Sequence, residues 1–317
     1  MRKTVQPTVT IGIPTHNRAD SYLPVALASA LSQDYANLEI LVSDNASTDR
    51  TGELVRSADD ARIRYFRHDV SIGGAGNFNF CVEQARGDYF LLLHDDDLID
   101  RDFVSACVGA IPEGRVVGVV RTGIRLVDEE GQVVSEMENR ASGLSFEEFL
   151  RSWFDGRTAH YLPNTLYNTS GLQRLGGFHS RRYLFQDAVA LVRLASELGR
   201  VDIREVKASF RRHGENYGGH PDTAQAWVDD CLHLRDVIME LVADTERDVV
   251  YRDANRFLAR KSYRAASGIP GFLDRVELYR QIYASFGYRH PPPALSPARW
   301  LRTVRKRARR LTLRGST

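Results

Sequence analysis

Three consecutive carboxylates follow an apolar run: Tyr89-Phe90-Leu91-Leu92-Leu93 leads directly into His94-Asp95-Asp96-Asp97. Neighbouring acids disfavour one another's ionised form, so the triplet is costly unless a cation neutralises it. Hard oxygen ligands suit Mg²⁺ or Mn²⁺, which take one or two carboxylates and complete their shell with substrate phosphates. The plainer alternative is a solvated turn that caps a helix starting near Arg101. Asp100 or Asp102 could cap that helix alone, which leaves the triplet unexplained.

Three more polar clusters follow apolar runs in the same way. Val9-Thr10-Ile11-Gly12-Ile13 is followed by Pro14-Thr15-His16-Asn17-Arg18. Leu38-Glu39-Ile40-Leu41-Val42 is followed by Ser43-Asp44-Asn45-Ala46-Ser47-Thr48-Asp49. Ile63-Arg64-Tyr65-Phe66 is followed by His68-Asp69 and the glycine loop Gly73-Gly74-Ala75-Gly76. Each run reads as a strand and the stretches between them as helices. Tyr89 to Leu93 is apolar at every position, as a central parallel strand is. The order β-α-β-α-β-α-β predicts a doubly wound α/β sheet, in which ligands sit beyond the carboxyl ends of the strands. All four polar clusters fall on that edge. The glycine loop is not a dinucleotide fingerprint, because Gly74-Ala75-Gly76-Asn77-Phe78-Asn79 lacks the third glycine and follows the third run, not the first.

Further along, Val116 to Arg121 reads as a strand, Gly123 to Val134 as a hairpin around Glu130-Gly131, and Leu144 to Phe154 as a short helix. Asn164 to Gly177 reads as loop-rich and Asp187 to Leu198 as a helix. Trp227 to Leu241 and Val249 to Ser267 carry long helical patterns, and Pro291-Pro292-Pro293 starts a linker. The expected organisation is 1–220 as one catalytic domain, split into a 1–120 nucleotide half and a 121–220 acceptor half. A helical extension over 221–290 and a tail over 291–317 follow.

Composition agrees with a globular protein: 317 residues, 43% hydrophobic and 26% charged. Cys81, Cys107 and Cys231 are too scattered for a zinc site or a disulfide framework and read as core residues of a reducing compartment. The first residues lack a secretory apolar segment, and no run is long enough to span a bilayer. A cytoplasmic protein is expected, peripheral on the inner face of the membrane. The net charge of +2 hides a split. Arg299, Arg302, Arg305, Lys306, Arg307, Arg309, Arg310 and Arg314 stand in a tail without acidic residues, leaving an acidic body. That body excludes a broad nucleic-acid surface. As a helix, the tail would place Trp300, Val304, Ala308 and Leu311 on one face and arginines around it. This pattern fits an interfacial helix on an anionic membrane surface over 298–314.

Taken together, Ile13-Pro14-Thr15-His16-Asn17-Arg18, Val42 to Asp49, Asn77 and Leu93-His94-Asp95-Asp96-Asp97-Leu98 resemble the family 2 glycosyltransferases with the GT-A fold. Leu175-Gly176-Gly177-Phe178 with Gln186-Asp187 resembles the family's acceptor-side segment, and Phe210-Arg211-Arg212-His213 its later Arg-x-His element. The resemblance implies that Pro14, Thr15, Asn17, Arg18, Asp44, Asn77, Asp95 and Asp96 bind the donor nucleotide. It implies Asp95, Asp96, Asp97 and His213 as ligands of Mn²⁺ or Mg²⁺, with His94 standing where many relatives have another acid. Asp187 is the candidate general base, since the acceptor hydroxyl must lose its proton as it attacks; the alternative is a helix cap. The expected reaction is inverting transfer of a hexosyl group from a nucleoside-diphosphate sugar, UDP or dTDP favoured. The acceptor is the hydroxyl of a glycan or lipid-linked oligosaccharide in cell-envelope polysaccharide synthesis. The competing readings are a sugar-phosphate nucleotidyltransferase, which usually carries a glycine-rich loop after the first strand, and a non-catalytic sugar-nucleotide binder.

Overall fold

The structure, a computed structural model, describes residues 6–214 and 223–292. The 298–314 tail lies outside the described residues. The chain opens with β1 (Val9–Thr15), α1 (Leu23–Leu31), β2 (Leu38–Asp44), α2 (Thr51–Ser57), β3 (Ile63–Arg67), α3 (Gly73–Gln84) and β4 (Tyr89–Leu92). Every residue of β1 and β4 is buried. The four strands run parallel in the order β3-β2-β1-β4, so their carboxyl ends share one edge. Proline is tolerated in β1 because pairing with β4 stops at Gly12 opposite Leu92, before the missing N–H of Pro14 is needed.

The second half adds β5 (Leu98–Ile99), α4 (Phe103–Gly109), the hairpin of β6 (Val119–Val127) and β7 (Val133–Met137), and α5 (Phe146–Phe154). Next come β8 (Thr165–Asn168), α6 (Thr169–Arg174), α7 (Gln186–Leu198) and β9 (Arg200–Arg211). Ser145 and Glu148 close a capping box that starts α5. β8 adds antiparallel to β4, β6 antiparallel to β8, β9 parallel to β6 and β5 antiparallel at the edge. The result is a nine-stranded mixed sheet. Two stretches depart from the sequence reading or add to it. The loop-rich stretch 164–177 holds β8 and α6, and the charged segment 200–211 is a strand. Neither carries a strong period of its own: β8 is four residues long, and β9 is drawn into the sheet by its register with β6.

The C-terminal helices are α8 (Ala224–Leu241), α9 (Arg247–Ala266) and α10 (Phe272–Ser285). Their buried residues, among them Cys231, Leu234 and Leu258, belong to the same apolar cluster as Phe90 and Tyr167 of the sheet and Leu191 of α7. A second cluster fills the opposite face, around Ile11, Leu91 and Phe103. The three cysteines are free and buried. Among the described residues no helix is long and apolar enough to cross a membrane.

Candidate active site

The loops beyond β1 and β2 brace one another. Asn17 adopts a left-handed backbone, φ 53°. Its N–H donates to Ser47 Oγ at 2.8 Å, and its Oδ1 accepts from the Thr48 N–H at 2.8 Å. Asp44 is fully buried at the end of β2 and accepts from the Ser47 N–H at 2.8 Å and the Tyr65 hydroxyl at 2.6 Å. Burial and this carboxylate together push the Tyr65 phenol up. Asn77 on α3 is also buried. Its Oδ1 accepts from Ser43 Oγ at 2.6 Å and its Nδ2 donates to Ser43 O at 3.0 Å. These bonds tie α3 to β2.

The turn after β4 carries the acids. Arg211, at the end of β9, donates its N–H to Asp97 Oδ1 at 2.9 Å and its Nε to Asp96 O at 3.0 Å, holding the turn in place. His213, two residues on, lies with Nε2 2.7 Å from Asp96 Oδ2. Ligand atoms of His94, Asp96 and Asp97 all fall within 4.8 Å of one another. Asp97 Oδ2 and His94 Nε2 are buried without a hydrogen-bond partner among the described residues. Burial, with Asp96 beside it, pushes Asp97 well above the usual carboxylate range. Two orphaned buried donor atoms beside a paired carboxylate fit a divalent cation of N/O preference. Asp95 stands outside this cluster. Burial raises its carboxyl, and the Thr15 hydroxyl and Arg18 work against that. Successive side chains of a turn diverge, and His94, to which the sequence gave no ligand role, stands in the cluster. The helix-cap alternative is not met either: Asp100 pairs with Arg125 and Asp102 with Lys207, and α4 has no side-chain cap bond.

The facing wall carries Asp187. It lies in the first turn of α7, one residue inside Gln186, so it is not the cap residue. His160 Nε2 is 3.1 Å from Asp187 Oδ2, and the imidazole is almost wholly buried. Arg121 anchors the His160 loop by donating to Ala159 O at 2.6 Å. Burial pushes the Asp187 carboxyl up, but His160 and the helix amides outweigh it and hold it below its ordinary value. The loop before α7 is pinned from behind by Asp230 of α8. This buried carboxylate accepts from Ser180 Oγ and from the N–H groups of Arg182, Leu184 and Phe185 at 2.7–3.0 Å. We expect Asp230→Ala to cost about 3 kcal/mol or more, because three backbone donors lose their acceptor. The midpoint of urea unfolding measures it, and Asp230→Asn should lose less because the amide oxygen still accepts.

Both walls meet in one cleft of about 340 Å³. Of the residues expected from sequence, Pro14, Arg18, Asp95, Asp96, Asp187 and His213 line it. Thr15, Asn17, Asp44, Asn77 and Asp97 are not among its lining residues. Sequence reading gave no role to His160, Asp230, Tyr183 or Trp227, and met Arg211 only within the Arg-x-His element. Only Asp230 had a local signal, an acid at the 3–4 spacing of Trp227, Leu234 and Val237 on the buried face of α8.

The family model described as Glycosyl transferase family 2 matches residues 10–176. A GalNAc(5)-diNAcBac-PP-undecaprenol beta-1,3-glucosyltransferase of Campylobacter jejuni is 32% identical over 158 residues, 47% of this chain and 50% of that protein. A chondroitin synthase of Escherichia coli is 32% identical over 136 residues, 42% of this chain and 19% of that protein. The chain thus spans half or less of the length of these curated relatives. Among solved structures, Staphylococcus aureus TarS 1-349 in complex with UDP-GlcNAc superposes with a TM-score of 0.58 at 15% identity, covering 89% of this chain and 92% of that one. The mannosyltransferase PcManGT from Pyrobaculum calidifontis, in complex with GDP-Man and Mn²⁺, gives 0.58 at 18% identity, covering 97% and 81%. These likenesses show the GT-A fold. With more than half of its length matched by the family model, the chain belongs to glycosyl transferase family 2.

Proposed function

We propose that the protein transfers a hexosyl group, with inversion, from a nucleoside-diphosphate sugar to a hydroxyl of a glycan or lipid-linked oligosaccharide. The observation that carries this reading is the sharing of one cleft by the acid turn and Asp187. In the proposal residues 1–120 hold the donor and 121–220 the acceptor, with 221–290 as the helical extension. A uridine or thymidine base lies along the β1–β2 loops, which Asp44, Asn17 and Asn77 brace. Arg18 and the diphosphate meet at the mouth. Asp96, Asp97 and His94 would hold Mn²⁺ or Mg²⁺, with His213 beside Asp96. Bound there, the ion would neutralise charge on the departing diphosphate. Asp187 takes the proton of the acceptor hydroxyl at its carboxylate, and His160 holds that carboxylate ionised from behind. The names of the relatives, one acting on a PP-undecaprenol-linked saccharide and one a chondroitin synthase, support a cell-envelope or polysaccharide acceptor.

The test is a thermal-shift screen of nucleoside diphosphates with Mn²⁺, followed by donor turnover. Binding to the native state raises apparent stability. Release of nucleoside diphosphate supports the transferase, release of pyrophosphate replaces it with a nucleotidyltransferase, and neither leaves a binder.

The basic tail extends the proposal to a peripheral position on an anionic membrane. Each basic residue near such a surface contributes about 1 kcal/mol. The intact protein is expected to sediment with anionic liposomes at low salt and to be released at high salt. A chain ending near Pro291 is expected to stay in the supernatant. Intact protein that ignores anionic liposomes at low salt would remove the membrane claim.

A further inference from the structure

Behind the acceptor side of the cleft stands a cation that the transferase reading leaves unused. Lys261 stands on α9, outside the residues matched by the family model. Its ammonium lies 4.0 Å from the ring centroid of Trp227 and 5.0 Å from that of Phe185. Trp227 lines the cleft, and Phe185 immediately precedes Gln186-Asp187. Two rings and the helical extension therefore place one positive charge behind the acceptor wall.

That charge has no carboxylate partner among the described residues. Asp187, the acid that acts on it, lies against His160. Lys207, by contrast, has its own acid in Asp102. Burial favours the neutral amine, Cys231 and Asp187 oppose this, and Arg264 and Arg212 add to it. Ring faces return only part of what a lysine loses with its water, about 0.5–2 kcal/mol. A half-buried cation beside a substrate cleft, with no carboxylate partner among the described residues, is stabilised most by an anion the substrate brings. Arg212 is exposed beside His213 and adds a second positive charge near Lys261.

We propose that Lys261 binds the acceptor: it meets a phosphate or carboxylate on a saccharide that enters beside Trp227. The inference rests on the transferase reading for the identity of its ligand as an acceptor. It names the acceptor as an anionic saccharide and assigns its recognition to the helical extension.

The experiment titrates the full chain by calorimetry with glucose 1-phosphate, glucuronate and methyl glucoside. Mn²⁺, UDP and GDP are all kept saturating, so that the donor pocket does not take the phosphate. The native protein is expected to bind one of the two anions on the order of tenfold or more tighter than the methyl glucoside, the scale of a hydrogen bond to a charged group. The tighter of the two names the group. Lys261→Met keeps the apolar packing on Trp227 and should bind all three alike, while Lys261→Arg should restore the preference. The neutral glucoside serves as the control for a folded pocket. Anions that bind the native protein no better than the glucoside, absence of binding included, overturn the proposal. A preference that survives in Lys261→Met overturns it equally. Donor turnover by the native protein without probes judges the transferase reading separately, so the two can fail independently.

Discussion

In EDTA the protein is expected to stop turning over its donor, and Asp96→Ala and Asp97→Ala are each expected to lower kcat on the order of 10³-fold. A divalent ion at this turn would supply several kcal/mol of stabilisation to the departing diphosphate, and each 1.4 kcal/mol corresponds to about tenfold in rate. The expectation is built on the cluster of His94, Asp96 and Asp97 and on the two orphaned buried atoms within it. Asp95→Ala should cost less, because its carboxyl stands outside the cluster with Thr15 and Arg18. Adding Mn²⁺ back should restore the native protein and not the two variants. Calorimetric titration with Mn²⁺ gives a readout independent of turnover. There His94→Ala should weaken binding on the order of tenfold, within the usual range for losing a ligand or its support. Unchanged turnover after exhaustive treatment with EDTA would end the metal claim.

Asp187→Asn is expected to lower kcat by on the order of 10²-fold or more, the usual scale of general base catalysis. Binding of the nucleoside diphosphate should hardly change, since Asp187 stands on the acceptor wall. The pH dependence adds a sign. His160 and the helix amides hold the carboxyl below its ordinary value despite burial. The base is therefore ionised across the neutral range, and kcat should fall only at pH values below the ordinary carboxylate pKa. Removing the imidazole in His160→Phe takes away one of the influences that lower the pKa and leaves burial, which raises it. The acid limb of the profile should then move to higher pH. An Asn variant with near-native turnover would make Asp187 a structural residue of the first helical turn. An acid limb that does not move in His160→Phe would remove the imidazole from the argument.

Local chemistry made much of this protein legible in advance. The β-branched and apolar runs of β1, β2 and β4 can be buried only as parallel strands, and the polar residues that follow each run must then share one edge. The acid triplet signalled a cation site because like charges in a row need neutralising, whatever the fold. What escaped were elements and partners made by pairing at long range. β8 and β9 are strands because β4 and β6 offer them hydrogen bonds, while their own composition is weak. Arg211 reaches the acid turn across 114 positions of sequence, and His160 meets Asp187 across 27.

The division between sequence and fold runs through the site itself. Sequence determined which residue types stand at the strand ends and therefore the class of chemistry. Tertiary structure decided their employment. Asn77 was bonded to Ser43, His94 was brought into one cluster with Asp96 and Asp97, and Asp230 was set to pin the loop that carries Tyr183 and leads to Asp187. The physical reason is that a side chain's type is local, whereas its partner depends on burial and on which distant segment the sheet brings within about 3 Å.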